Sequence, residues 1–217
     1  MENIIKITNA NLGYTNKPIL KNINLEINKG EFLIVNGQNG SGKTLFVKFL
    51  FMKVLPILGQ YKLFDEIIDN TKKKLILKLR KKIGVILQYN FLIPYFTVRQ
   101  NIQIAYEIQS GNTLSIDDRV NEMIDWVGLS KKTHYNVENL SDAEKQKVII
   151  ARSIVSNPQL LIADEPMLNL DDENRKKFLF LLRSINELGT TIILTTNKLE
   201  EFYKDDRKIF IKNKEIH

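Results

Sequence analysis

Residues 37–44 read GQNGSGKT, with Gly37, Gly40 and Gly42 around Gln38, Asn39 and Ser41, then Lys43 and Thr44. Glycines at this spacing let the backbone curl until successive N–H groups point at one centre. An apolar run precedes the turn and a helical pattern follows it, so that centre also receives the partial positive charge of a helix N-terminus. Phosphate oxygens fit such a cradle, and the pattern is a full P-loop. It assigns Lys43 to the β- and γ-phosphates of a nucleotide and the Thr44 hydroxyl to Mg²⁺. A second chemical pair, Asp164 and Glu165, follows the apolar run LLIA. An acid at the end of a buried strand beside a P-loop is placed to partner Mg²⁺. Glu165, one residue on, is placed to orient or deprotonate an attacking water. The plain alternative, two strand-end acids making surface contacts, weakens once the P-loop is present.

Elements must hold these groups. Short apolar runs at 32–35, 83–87, 160–163 and 191–195 predict strands. Their apolar character is continuous rather than alternating, as in parallel strands covered on both faces. Val120, Met123, Ile124 and Val127 repeat at helical spacing, as do Phe178, Leu181, Leu182, Ile185 and Leu188, with Gly189 as a stop. Alternating strands and helices predict an α/β, doubly wound sheet with ligands at the carboxyl ends of its strands. Residues 4–27 predict antiparallel strands joined near Asn16-Lys17-Pro18, and 207–217 a closing strand pair turning at Asn213-Lys214. The stretch 88–139 is mostly helical in period. The expectation is one domain over 1–217: a P-loop core with a parallel sheet, an N-terminal antiparallel β subdomain and a helical lobe at about 88–157.

The 217 residues suffice for one large α/β domain. Cysteine is absent and the histidines are His134 and His217, which excludes thiolate and His-rich metal sites. The first ten residues lack a signal-peptide pattern, and the longest apolar stretch, 45–58, is interrupted by Lys48, Lys53 and Pro56. A cytosolic protein is expected, reaching a membrane through a partner. The formal charge is +7, densest from Lys72 to Lys82. No aromatic residues interleave these lysines as a nucleic-acid stacking platform would need. A solvated lysine-rich face is the plain reading, attraction to an anionic leaflet a milder one, and no nucleic-acid partner is expected.

The motifs in order resemble the ATP-binding cassette (ABC) ATPases over essentially the full length. Tyr14 resembles the aromatic residue that stacks on adenine, and Gln88 the Q-loop glutamine that touches Mg²⁺ and senses a partner. LSDAEKQKVIIAR, 140–152, aligns with the signature motif, so Ser141, Asp142, Ala143 and Glu144 would act on ATP held by a second subunit. ADEP at 163–166 is the second acidic motif, and NLD at 169–171, with Asp171, the D-loop. The resemblance implies ATP and Mg²⁺ as cofactors, with Thr44, Gln88 and Asp164 around the metal. It also implies a homodimer or a heterodimer with a second cassette. Within the family, LSDAEKQK, ADEPxxNLDDE and RKKIGVILQYNFLIPYFTVRQNI resemble the cell-division FtsE group, whose relatives are LolD and MacB. That implies an FtsX-like membrane subunit, with the cassette peripheral at the cytoplasmic face of the membrane. A LolD/MacB-like release or export ATPase is the alternative. A short tail favours a minimal cassette over an importer subunit with a C-terminal sensor.

Three positions depart from the family pattern. Leu45 replaces a second hydroxyl that contacts the α-phosphate, a loss of about 1.5–3 kcal/mol of nucleotide affinity. Asp142 and Ala143 replace signature glycines, and the carboxylate opposes a polyphosphate, although Ser141 to Glu144 also spells a helix capping box. Asn197 stands at the switch histidine and can hydrogen-bond but cannot become an imidazolium. These changes imply an ATPase of low activity, or a nucleotide-gated scaffold.

Overall fold

A computed structural model describes residues 2–14, 17–87, 92–110, 116–168, 170–199, 202, 204 and 206–217. Two sheets carry the chain. The first is antiparallel, in the order β2-β1-β4-β5, from β1 (Asn3–Leu12), β2 (Leu20–Asn28), β4 (Leu58–Leu63) and β5 (Glu66–Ile67). The second has the order β10-β9-β3-β8-β7-β6 and is built from β3 (Phe32–Gly37), β6 (Ile83–Ile86), β7 (Leu160–Asp164), β8 (Thr191–Thr196), β9 (Arg207–Lys212) and β10 (Glu215–Ile216). Its strands pair in parallel from β9 to β6, and only β10 runs antiparallel, at the edge.

The continuous apolar runs have the expected cause. Leu33, Val35, Leu160, Ile162 and Ile193 enter one core cluster, whereas Phe32, Ile34, Leu161, Ala163, Ile192 and Leu194 enter another. Alternate side chains therefore meet apolar layers on opposite faces of the sheet. The first core also takes the inner face of the antiparallel sheet and helix α1 (Lys43–Leu50). The second is covered by α3 (Val98–Ser110), α4 (Ile116–Trp126), α5 (Asp142–Ile154) and α6 (Asp172–Glu187). Helix α2 (Lys73–Arg80) lies between β5 and β6.

Most boundaries follow the sequence. The strand expected over 83–87 stops at Ile86, and the one over 160–163 runs on to Asp164. Gly189 ends α6 with φ 99°, and the closing hairpin turns on Asn213 and Lys214 at φ 51° and 69°. The segment from α3 to α5 is held by an internal polar pin. Asn101, fully buried, accepts from the Ile93 N–H at 2.9 Å and donates to the carbonyls of Ile93 and Thr97 at 3.2 and 3.1 Å. A buried amide with these partners fixes the irregular loop ahead of α3.

Candidate nucleotide site

Strand order creates the site. β8 lies between β3 and β7, so the carboxyl ends of these three parallel strands emerge side by side. β3 delivers the P-loop, β7 ends in Asp164, and β8 leads to Asn197. The loop from Gly37 to Gly42 turns with an N–H bond from Ser41 to the Gln38 carbonyl at 3.1 Å. Gln38, Asn39 and Gly40 are exposed. Two glycines make room here. A Cβ on Gly37 would stand 2.5 Å from Ser41 Oγ and 3.1 Å from the Ile211 carbonyl, so Ser41 would have to turn away, and Gly42 caps α1 at φ 110°, a left-handed conformation against the Leu20 side chain. The first helical bond of α1 runs from Phe46 N–H to the Gly42 carbonyl, at 2.9 Å. The N–H groups of Lys43, Thr44 and Leu45 thus have no acceptor within the helix and are open to an anion. Ser41 Oγ is buried without a hydrogen-bond partner. A glycine cradle with an orphaned hydroxyl fits a polyphosphate.

Lys43 is 4% exposed, and its ammonium is fully engaged. It donates to the carbonyls of Gly37 at 2.6 Å and Gln38 at 3.0 Å, and pairs with Glu165 Oε1 at 2.9 Å. These partners match the three N–H bonds that the group owns. Asp164, almost completely buried, accepts from Thr195 Oγ1 at 2.8 Å and from the Thr44 hydroxyl. Burial pushes its carboxyl up, while the two hydroxyl donors and Lys43 pull it back and Glu165 adds to the rise. Thr44 and Asp164 form a hard oxygen pair suited to Mg²⁺. No group of three or more His, Cys, Asp or Glu that could hold a metal occurs among the described residues. An ion here would complete its shell with nucleotide oxygens and water, as Mg²⁺ sites commonly do.

Glu165 departs from strand geometry at φ 45°, so its side chain leaves Asp164 and turns to Lys43. Its N–H donates to Thr195 Oγ1 at 2.9 Å. Thr195 is fully buried, stands opposite Asp164 in the strand register, and bridges both acids with one hydroxyl. The sequence analysis missed this residue, which reads there only as the last position of an apolar strand. Asn197 is exposed and lines a shallow pocket with Glu165, Pro166, Met167 and Thr196.

Other expected residues sit differently. Leu45 turns its side chain into the apolar core, leaving only its main-chain N–H for a ligand. Tyr14 is 61% exposed, and Lys48 stands over its ring at 5.3 Å while donating to its hydroxyl at 3.2 Å. Asp171 caps α6, accepting from the Asn174 N–H at 2.8 Å, and that bond holds its carboxyl below the usual value. Gln88 and Asn169 lie outside the described residues. Ser141 and Glu144 form the expected capping box of α5, and Lys132 reaches Glu144 at 2.6 Å. Asp142 projects into solvent, 87% exposed, with Lys145 only at 4.0 Å. Ala143 is half-buried. No hydrogen bond or ion pair joins 141–144 to the P-loop among the described residues. A second missed residue links the two regions indirectly: buried Gln146 of α5 donates to the Pro166 carbonyl at 2.9 Å.

Comparison with known proteins agrees with this geometry. The profile of the ABC transporter family matches residues 20–168. The cell division ATP-binding protein FtsE of Bacillus subtilis is 38% identical over 181 residues, covering 83% of this chain and 79% of that protein. The macrolide export ATP-binding/permease protein MacB of Bdellovibrio bacteriovorus is 34% identical over 87% of this chain, which spans 29% of that longer protein. The dimeric post-hydrolysis state of the ATP-binding cassette MJ0796, bound to ADP and Pi, superposes with a TM-score of 0.88 at 26% identity, over 98% of this chain and 96% of that one. The profile over more than half of the chain, and relatives matched along most of their own length, show that the chain belongs to the ABC transporter family.

Proposed function

We propose that this chain hydrolyses ATP as the motor subunit of a membrane complex, acting as an FtsE-like cassette with an FtsX-like membrane subunit. The convergence of Lys43, Thr44, Asp164 and Glu165 at adjacent strand ends carries the reading. The FtsE relatives support the cell-division role, and the MacB relative supports the export alternative. No helix among the described residues is long and apolar enough to cross a membrane, so a separate subunit would supply the span.

In this reading the γ-phosphate draws Lys43 from its three oxygen partners. Glu165 then loses its cation and faces the attacking water as base. Mg²⁺ would be held by Thr44, Asp164 and Gln88, and supplies neutralisation of the β- and γ-oxygens. Tyr14 offers an exposed ring to adenine. Ser141 to Glu144 would address ATP held by a second copy or a second cassette, and Asp171 would lie at that interface. The nucleotide-bound dimer of MJ0796 supports this arrangement. Exposed Asp142 and Asn197 favour slow turnover within the same mechanism.

The deciding experiment measures ATP hydrolysis by the protein, alone and with its membrane partner in lipid, beside Glu165→Gln. The expected result is turnover that falls about 10²–10⁴-fold in the variant while ATP binding persists. Tight ATP binding without Glu165-dependent turnover, partner present, would replace the motor with a nucleotide-gated scaffold.

A further inference from the structure

The net charge of the chain is concentrated in one stretch. Residues 70–106 contain eight lysines and arginines and no aspartate or glutamate, against a net +7 for all 217 residues. The remainder of the chain is therefore close to neutral. Seven of the eight cations lie between Lys72 and Lys82, on and around α2.

The fold sorts this helix by face. Leu79 is buried, and Leu75 and Ile76 pack against the first core cluster. Arg80 pins the inward orientation, donating to the carbonyls of Phe51 at 3.2 Å and Met52 at 2.8 Å. Lys74, Leu77, Lys78 and Lys81 recur at i, i+3, i+4 and i+7, and all four are exposed. The ammonium groups of Lys74, Lys78 and Lys81 make no ion pair or hydrogen bond among the described residues. Leu77, between them, is 60% exposed. A solvated face explains the lysines but not a leucine set at their centre.

We propose that this face of α2 docks on an anionic lipid surface, in addition to any contact made through a membrane subunit. Charge complementarity selects an anionic partner. The central leucine selects lipid, because an apolar side chain flanked by lysines sinks into the headgroup boundary while the ammonium groups stay at the phosphates. Nucleic acid would leave Leu77 in water, and this face has no aromatic side chain for bases to stack on.

Vesicle flotation of the full chain tests the proposal, with phosphatidylcholine vesicles that contain or lack phosphatidylglycerol, at low and high salt. Binding should require phosphatidylglycerol and weaken with salt. Each lysine near such a surface contributes roughly fivefold, so Lys74→Gln/Lys78→Gln/Lys81→Gln together should weaken binding about 100-fold. Leu77→Ser should weaken it severalfold at unchanged charge. All four positions are exposed, so the melting temperature and ATP binding should stay at wild-type values, which separates this test from that of the ATPase. Equal partition onto both vesicle types would overturn the proposal, as would wild-type affinity in the triple variant. Retention on duplex DNA without vesicle binding would do the same in favour of nucleic acid.

Discussion

The P-loop region and the signature segment treat their polar groups in opposite ways. Around Lys43 the groups are buried, and they are bonded to residues distant in the chain: Glu165 to Lys43, and Thr195 to Asp164. Around Ser141 they lie at the surface, in a capping box closed within four residues, with Lys132 pairing to Glu144 as a longer link. The first region is thus a site whose parts are assembled by the fold of one chain. The second is a finished helix end whose remaining chemistry points outward, at Asp142. A site of the first kind fails when a member is removed. One of the second kind changes only what it offers to a neighbour.

Removing Lys43 should show this contrast most strongly. Lys43→Met leaves Glu165 largely buried without its cation and deprives the cradle of its ammonium. Nucleotide affinity should fall about 100-fold, at 1.5–3 kcal/mol for each hydrogen bond to a charged group. Titration with a fluorescent nucleotide reads the loss, and near-wild-type affinity would break the comparison. Thr195→Val comes next. It keeps the shape but takes one donor from Asp164 and one acceptor from the Glu165 N–H. It should cost about 1–3 kcal/mol in denaturant stability, with turnover reduced, and Thr195→Ser should restore both. A valine variant equal to wild type would mean that the bridge is incidental. Asp142→Asn should be the mildest. It should leave the melting temperature unchanged and raise ATP-driven dimer formation by about two- to fivefold at low salt, since the charge is exposed and screened. A drop in melting temperature would show that Asp142 serves its own helix more than the interface.

Legibility in the sequence divides along the same line. The glycine spacing, the continuous apolar runs and the capping box are local patterns, and the fold realises each of them. Thr195 could not be singled out, because its role depends on strand register that sets it opposite a residue 31 positions away. Gln146 and Asn101 were hidden for a related reason: each looks like an ordinary helix residue until its buried carbonyl partners are in place. Leu45 belongs to both readings: its apolar side chain follows the hydrophobic face of α1 into the core, and its main-chain N–H stays in the first turn beside the glycine loop.

The bond from Gln146 to the Pro166 carbonyl has a mechanical meaning. Gln146 lies five residues beyond Ser141, about 7.5 Å along a helix rising 1.5 Å per residue. Pro166 immediately follows Glu165. Helix α5 is thus a short lever with one end presented to whatever approaches Asp142 and a hook, one and a half turns in, on the loop that bears the acid. Displacing that end by a fraction of an ångström strains a buried hydrogen bond next to Glu165. A neighbouring subunit could reach the acid's backbone by this linkage without touching its side chain.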